Sequence, residues 1–361
     1  FGMEGMFRQL GIYSSVGQLY EPQDSDQVMF YKEQTDGQIL EEGINEAGSF
    51  SSWVAAATSY TVNGIQMIPF YIFYSMFGFQ RIGDLAWAAG DSRARGFLLG
   101  ATAGRTTLNG EGLQHEDGHS QLMAAMIPNC VSYDPTFAYE LAVIMQDGLK
   151  RMIENQEDVF YYITVMNENY SHPEMPKERE ADIIKGMYSF STSKIKGEKV
   201  QLMGSGVILR EVIEAQKILE SDYGVSADVW SVTSFNELRK DALEADRWNR
   251  MNPDKTQKES HVVKLLKKAE GPIIASTDYM KSFAEQIAVF LPHKFVALGT
   301  DGFGRSDSRE KLRHFFEVDR HYVVVAALKA LSDEGKIKSS VVTDAIKKFK
   351  LDPNKPNPVT Q

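Results

Sequence analysis

Residues 65–74, with the sequence IQMIPFYIFY, indicate the fold class more directly than any other part of the chain. Their apolar and aromatic side chains fall on both faces of an extended segment, which is typical of a parallel strand covered on both sides. The turn signal Asn63-Gly64 precedes them, and residues 96–101, GFLLGA, form a second apolar segment of the same kind. We therefore predict parallel sheets with buried strands.

Strand-like segments alternate with helix-like segments along the chain, which predicts two consecutive doubly wound α/β domains. We predict strands at residues 65–74, 96–101, 130–133, 159–165, 200–203, 228–232, 272–276 and 294–298. We predict helices at residues 38–59, 83–89, 121–126, 136–152, 208–219, 322–331 and 341–348. The expected order is a first domain at 1–171 with a mobile segment at 18–37, a linker at 172–186, a second domain at 187–350 and a frayed tail at 351–361.

The composition restricts the class of protein. The chain has 361 residues, a net charge of −10, 43% hydrophobic residues and one cysteine, Cys130. Such an acidic chain lacks the basic surface that nucleic-acid binding needs. A lone cysteine, which we expect in the core, is typical of a reducing compartment. We find no signal peptide and no membrane-spanning segment, so we expect a cytoplasmic protein, and the non-methionine start predicts a fragment of a longer chain.

Residues 39–48, ILEEGINEAG, contain candidates for acid–base chemistry. Glu42 and Glu46 lie four residues apart, so they share a face of the predicted helix. The sequence becomes apolar from Trp53 onward, which favours a buried Glu46 carboxyl group whose pKa is raised into the range of a proton donor. The alternative is an amphipathic helix with solvated glutamates.

Residues 104–120 form a glycine-rich loop with two histidines. His115 and His119 match the H-E-x-x-H pattern of zinc peptidases, but Gly118 disfavours the required helix by about 1 kcal/mol. We therefore expect no metal site here. Two alternatives remain: a loop that presents His115, with Glu111 and His119, to a ligand, and a surface loop that only holds its own turns.

Two further glycine-rich motifs are expected to be structural. Gly204-Ser205-Gly206 lacks the third glycine of a dinucleotide-binding fingerprint, so a tight turn between strand and helix is favoured. Residues 299–310 are consistent with an anion-binding helix start or with an ordinary one capped by Ser306. We do not expect this loop to be catalytic.

Several phrases resemble the transketolase-type thiamine diphosphate enzymes, and more closely the decarboxylating dehydrogenase family of the homodimeric bacterial pyruvate dehydrogenase complexes. The phrases are GQILEEGINEAG at 37–48, PFYIFYSMFGFQRIGDLAWAAGD at 69–91, GRTTLNGEGLQHEDGHS at 104–120, MNENY at 166–170 and GTDGFGRSDSREKLRHFFEVD at 299–319. The resemblance runs from about Gly17 to the C-terminus. It implies a pyrimidine-binding domain followed by a transketolase C-terminal-like domain.

The resemblance further implies that this chain holds only the aminopyrimidine half of a thiamine diphosphate site. In this superfamily a G-D-G motif, followed some tens of residues later by Asn, holds Mg²⁺ and the diphosphate. The nearest match, Thr300-Asp301-Gly302, lies in the wrong domain. We therefore expect the Mg²⁺ and diphosphate ligands on an N-terminal domain outside this sequence, contributed across a dimer interface.

Five residues are expected to be catalytic or cofactor-binding by the same resemblance. Glu46 is expected to hydrogen-bond N1′ of the aminopyrimidine and favour its imino tautomer. Tyr74 and Phe77 are expected to form an aromatic wall against which the pyrimidine stacks. Glu111 and His115 match active-centre positions, and His115 is expected to donate a hydrogen bond to the substrate carboxylate or to an intermediate.

Two more residues, Asp24 and His119, are expected along the substrate channel. Asp24 lies in the mobile segment and matches an acidic position near the channel mouth. Ordering of this segment over the site is expected to exclude water from the reaction.

The implied activity is decarboxylation of pyruvate and transfer of the two-carbon unit to the lipoyl group of the dihydrolipoyl acetyltransferase, within a complex that forms acetyl-CoA. A homodimer is the implied assembly. Two alternatives of different kinds remain open. One is a non-catalytic dimerisation or interaction fragment, and the other is a related thiamine diphosphate enzyme that acts on another 2-oxo acid or on a sugar.

Overall fold

The computed structural model describes residues 4–23 and 31–361, which form mixed α/β structure, as predicted. The strands are β1 (Ile12–Tyr13), β2 (Glu33–Gln34), β3 (Phe70–Tyr74), β4 (Phe97–Ala101), β5 (Cys130–Tyr133), β6 (Phe160–Thr164), β7 (Met187–Ser191), β8 (Lys199–Gly204), β9 (Ser226–Val232), β10 (Ile273–Ser276) and β11 (Phe295–Leu298). The helices are α1 (Phe7–Leu10), α2 (Glu46–Ala57), α3 (Ser59–Val62), α4 (Gly78–Asp91), α5 (Ser120–Ala124), α6 (Ala138–Leu149), α7 (Glu180–Ile184), α8 (Ile208–Tyr223), α9 (Phe235–Met251), α10 (His261–Leu266), α11 (Lys281–Glu285), α12 (Arg309–Phe315), α13 (Arg320–Asp333) and α14 (Ser339–Lys348).

The first sheet is entirely parallel, with the strand order β3-β4-β6-β5. Every residue of β5 and β6 is buried, as the apolar run of each strand predicts. Trp53 of α2 donates its indole N–H to the carbonyl oxygens of Pro69 and Phe97, so the helix is tied to the ends of two strands. Cys130 is fully buried in this core, where burial raises the pKa of its thiol to about 12.

The second sheet has the strand order β11-β10-β8-β9-β7. Its first four strands are parallel, and β7 is an antiparallel edge strand that we did not predict. Helices α8 and α13 pack on this sheet and bury an aliphatic core. No described helix is long and apolar enough to cross a bilayer.

The helix predicted at 38–59 begins later than expected. Gly43 has a positive φ of 65°, and the side chain of Asn45 accepts a hydrogen bond from the amide of Gly48 at 3.1 Å as the N-cap. The helix therefore starts at Glu46, and Glu42 lies before it. The prediction that Glu42 and Glu46 share a helix face is wrong.

Other predicted elements also differ from the structure. The 17-residue helix α9 was not predicted, and α6 begins at Ala138 rather than at 136. The predicted fraying of the tail is wrong, since Leu351 and Pro358 are buried and Lys355 donates a hydrogen bond to the carbonyl of His314 at 3.2 Å. The domain limits stay a prediction.

Candidate active site

The candidate site lies at the carboxyl edge of the first sheet. Strand β3 ends at Tyr74, Phe77 caps the start of α4, and the glycine-rich loop follows the neighbouring strand β4. Because parallel strands end at the same edge of a sheet, three segments that are distant in sequence meet here. This edge brings together all the predicted site residues that the structure describes. Asp24 is outside the described residues.

Glu46 joins this group through Arg81. An oxygen of Glu46 accepts a hydrogen bond from the Arg81 guanidinium at 2.5 Å, and the centre of that guanidinium lies 4.4 Å from the centroid of the Phe77 ring. The Glu46 side chain is 18% exposed. The expected burial among apolar residues is wrong, because Glu46 is the first residue of α2 and the buried face of that helix begins only at Phe50.

His115 contacts both aromatic residues of the site, Tyr74 and Phe77. Its ring stacks on Tyr74 with centroids 5.2 Å apart and contacts Phe77 edge-on, also at 5.2 Å. Its Nδ1 lies 3.4 Å from a carboxylate oxygen of Glu111. Arg81, Phe77 and His115 therefore form a continuous series of contacts from Glu46 to Glu111.

His119 is separate from His115 and contacts α4. One of its ring nitrogens lies 2.8 Å from the side-chain amide of Gln80. The backbone at Leu113–His115 is a short 3-10 turn, and His119 precedes α5, so the two histidines do not share a helix face as a zinc peptidase requires. Among the described residues no three histidine, cysteine or acidic side chains are grouped to hold a metal ion.

Two residues of the same loop, Arg105 and Glu116, were missed by the sequence analysis. Both side chains are buried. Burial, followed by the negative charge of Asp278, raises the pKa of Glu116 to about 9, so this carboxyl group is neutral near pH 7. Arg81 was also missed as a site residue, although it follows Phe77 by one helical turn.

The loop after β6 is held by a partly buried ion network. Glu168 accepts hydrogen bonds from Arg313 and from Arg210, and it lies 3.8 Å from Arg309. Arg309 also donates to the carbonyl of Thr107 at 2.6 Å. We call the part of the chain up to β6 and its following loop the first unit, and the part with the second sheet, from β7 onward, the second unit. Side chains of the second unit, on α8 and α12, thereby hold two loops at the carboxyl edge of the first sheet.

The two other glycine-rich motifs form structure. Gly206 has a positive φ of 50°, and an added Cβ there would lie 2.7 Å from Asp134, so this turn packs tightly between β8 and α8. In the loop at 299–310 the helix cap is Ser308 rather than Ser306, since the Ser308 side chain accepts from the amide of Lys311. The tight-turn interpretation is confirmed and the expected cap residue is wrong.

Comparison with known proteins identifies both parts of the chain. Residues 1–173 match the family described as the pyruvate dehydrogenase E1 component middle domain, and residues 186–319 match the transketolase-like TK C-terminal domain. The chain is 68% identical to the pyruvate dehydrogenase E1 component of Pseudomonas aeruginosa, over 99% of this chain and 41% of that protein. It is 61% identical to that of Escherichia coli K12, over 99% and 40%. The chain thus spans about two fifths of the length of these curated relatives.

Solved transketolases share the fold. A Pichia stipitis transketolase in complex with sedoheptulose-7-phosphate gives a TM-score of 0.62 at 16% identity, over 84% of this chain and 39% of that one. A Leishmania mexicana transketolase gives 0.62 at 15% identity, over 94% and 46%. The two family matches cover successive parts of one chain whose curated relatives carry a single name. The chain belongs to the pyruvate dehydrogenase E1 component family, and it carries that family's middle domain followed by a transketolase-like C-terminal domain.

Proposed function

We propose that this chain supplies the aminopyrimidine-binding half of the active site of a thiamine diphosphate-dependent pyruvate dehydrogenase. The observation that carries the proposal is the continuous series of contacts Glu46–Arg81–Phe77–His115–Glu111 at the carboxyl edge of the first sheet. Ligands of open α/β sheets bind at this edge. The pyruvate dehydrogenase E1 and transketolase-like families are thiamine diphosphate enzymes, which agrees with this location.

The side chains present suit an aminopyrimidine. A carboxylate that accepts hydrogen bonds and two partly exposed aromatic rings are the chemical partners of a flat, polar heterocycle. When bound, the cofactor supplies a nucleophilic carbon and an electron sink. Because the chain matches only about two fifths of its curated relatives, we place the ligands of Mg²⁺ and the diphosphate in the part of those proteins that it does not match.

Each residue of the group then has a distinct proposed role. Glu46 shares a proton with the N1′ position of the pyrimidine, while Tyr74 and Phe77 pack against the ring. His115 donates a hydrogen bond to the substrate carboxylate or to an intermediate. The carboxylate of Glu111, 3.4 Å from His115 Nδ1, helps to orient the imidazole.

The channel residues and partners complete the proposal. Asp24 and His119 border the path by which pyruvate enters. In the reaction the bond between the carboxylate and carbonyl carbons of pyruvate breaks and CO₂ leaves. The two-carbon unit then passes to a sulfur of the lipoyl group on the dihydrolipoyl acetyltransferase, whose disulfide is reduced. We propose a homodimer in the cytoplasm, in which each active site is completed across the dimer interface.

Neutralising Glu46 in the full-length enzyme tests this proposal. We expect Glu46→Gln to lower pyruvate turnover by about a hundredfold or more, because proton sharing with the cofactor is lost. Glu42→Gln is the matched control, since Glu42 lies nearby but bonds only Ser52 among the described residues, and we expect a change of less than about twofold. Turnover is measured with pyruvate and an artificial electron acceptor, after circular dichroism confirms folding.

The other outcomes separate the alternatives. Wild-type turnover in a folded Glu46→Gln enzyme contradicts the assignment. If the full-length protein binds no thiamine diphosphate with Mg²⁺ in calorimetric titration, the chain is an interaction domain. If the enzyme prefers 2-oxoglutarate or a sugar phosphate to pyruvate, the proposed cofactor site stands and the proposed substrate is wrong.

A further inference from the structure

The His115 loop is held from the side of the second unit by Arg105. The side chain of Arg105 is buried, and its guanidinium donates hydrogen bonds to the carbonyl of Thr300, at 3.1 Å, and to that of Gly302. The same guanidinium lies against Gly118, where an added Cβ would be 2.5 Å from its central carbon. Arg105 therefore joins the loop that carries His115 to the loop at 299–305.

A second contact joins the same two loops next to His115 itself. A Cβ added to Gly304 would lie 2.3 Å from the carbonyl oxygen of Leu113 and 2.6 Å from the Cβ of Glu116. Leu113 and Glu116 flank His115 on either side of its 3-10 turn. Only glycine fits at 304 without displacing this turn. Glu116 is fully buried beside this contact.

The His115 turn is contacted both at its side chain and at its backbone. Tyr74 and Phe77 contact the imidazole ring, while Gly304 contacts the backbone that carries it. We propose that Arg105 and Gly304 are positioning residues, through which the transketolase-like domain sets the place of His115 in the active site. This inference rests on the proposed function of His115.

Displacing the turn is expected to affect chemistry more than cofactor binding. A shift of about 1 Å in a group that contacts the substrate lowers turnover by up to about a hundredfold. Among the described residues Arg105 donates to Thr300 and Gly302, and the nearest neighbours of Gly304 are Leu113 and Glu116, so the pyrimidine contacts of Glu46 and Phe77 are expected to persist. The expected signature is therefore a lower kcat with an unchanged Kd for thiamine diphosphate.

The test uses four variants of the full-length enzyme. Arg105→Met removes the hydrogen-bond donors of the guanidinium. Arg105→Lys keeps one cationic donor group. Gly304→Ala adds a methyl group where the backbone of the His115 turn passes. Thr136→Val is the matched control, because Thr136 is buried and bonds the carbonyl of Gly206 across the two units at 2.7 Å without contacting the His115 loop. We measure kcat with pyruvate, Kd for thiamine diphosphate with Mg²⁺, and the rate at which diethyl pyrocarbonate modifies His115 in the cofactor-free enzyme.

The proposal is supported by a kcat about tenfold lower in Arg105→Met and Gly304→Ala, partial recovery in Arg105→Lys, and Kd within about twofold of wild type. Diethyl pyrocarbonate is expected to modify His115 faster in these two variants than in wild type. Peptide mass spectrometry measures this rate, with His321 on α13 as the internal reference. The control stays at wild-type values in every measurement.

The proposal is overturned if both variants fold, modify His115 at the wild-type rate and keep the kcat of the control. If Arg105→Met fails to fold, Gly304→Ala decides alone. The proposed function fails separately: a fully active His115→Ala enzyme removes the role of His115, while the modification rates still show whether Arg105 and Gly304 position it.

Discussion

Glu116 is fully buried and the side chain of Glu168 is 11% exposed, and both lie in loops where the two α/β units meet, yet their surroundings differ. Glu168 bonds Arg210 and Arg313, whereas neither carboxyl oxygen of Glu116 has a hydrogen-bond partner among the described residues. Burial acts to raise the pKa of both groups. At Glu168 the hydrogen bonds and charges of Arg313 and Arg210 together outweigh burial and hold the pKa below its usual range, while at Glu116 burial prevails.

Burial therefore does not by itself decide what an acid does for the fold. The ionised Glu168 ties α8 and α12 to the loop after β6, so it stabilises the interface through charge. Glu116 fills space under the His115 turn as a neutral group, at a cost to stability that rises with pH. Unfavourable groups of this kind are expected near functional sites, where local stability is not the only constraint on a residue.

The same substitution at both positions should have opposite consequences, and the largest effect is expected at Glu168. Glu168→Gln leaves the buried Arg313 without its closest anion, so the free energy of unfolding should fall by about 3 kcal/mol at pH 7. Because the pKa of Glu168 is lowered in the folded state, its contribution is present above pH 4.5 and is lost on acidification. Urea denaturation at pH 7, and at a series of pH values below 4.5 at which both proteins still fold, checks both points. A loss below about 1 kcal/mol at pH 7 contradicts the comparison.

The next largest effect is the pH dependence that Glu116 adds. Its pKa rises from 4.5 to about 9 on folding, so the folded state holds a proton that the unfolded chain releases. Stability therefore falls as pH rises between these values, by up to about 1.4 kcal/mol for each pH unit. Glu116→Gln should remove this dependence of stability on pH. The buried amide of the variant also lowers the free energy of unfolding, by an amount that does not change with pH.

The slope is measured by urea denaturation of wild type and Glu116→Gln from pH 5 to pH 8. The stability of the variant relative to wild type should increase steadily with pH. Parallel curves would mean that Glu116 is ionised in the folded protein and has a partner like that of Glu168.

Much of the fold was predictable from sequence because its signals are local. The four parallel strands of the first sheet are apolar runs bounded by turns, and Cys130–Tyr133 was predicted to the residue. Tyr74, Phe77 and His115 were found as candidates because each lies within a phrase that resembles a family. The residue roles themselves stay predictions.

What the sequence analysis missed depends on contacts between distant segments. Arg105 contacts Gly302, which is 197 residues away in the sequence, and Arg313 contacts Glu168, which is 145 residues away. No sequence periodicity predicts contacts over such distances. Glu116 lies in a polar loop with no apolar neighbour that signals burial. The expected burial of Glu46 was wrong for a local reason, since Asn45 starts the helix one residue before it.

The smallest expected effect comes from an acid that is paired but exposed. Asp246 and Arg250 lie 3.5 Å apart at i and i+4 on α9, with side chains 58% and 69% exposed. Water screens such a pair, so Arg250→Ala should change the free energy of unfolding by less than about 0.5 kcal/mol at pH 7. Urea denaturation beside Glu168→Gln gives the comparison under one condition. A loss at Arg250 as large as at Glu168 would mean that ion pairing stabilises this protein irrespective of burial, and the contrast between Glu116 and Glu168 would then need another cause.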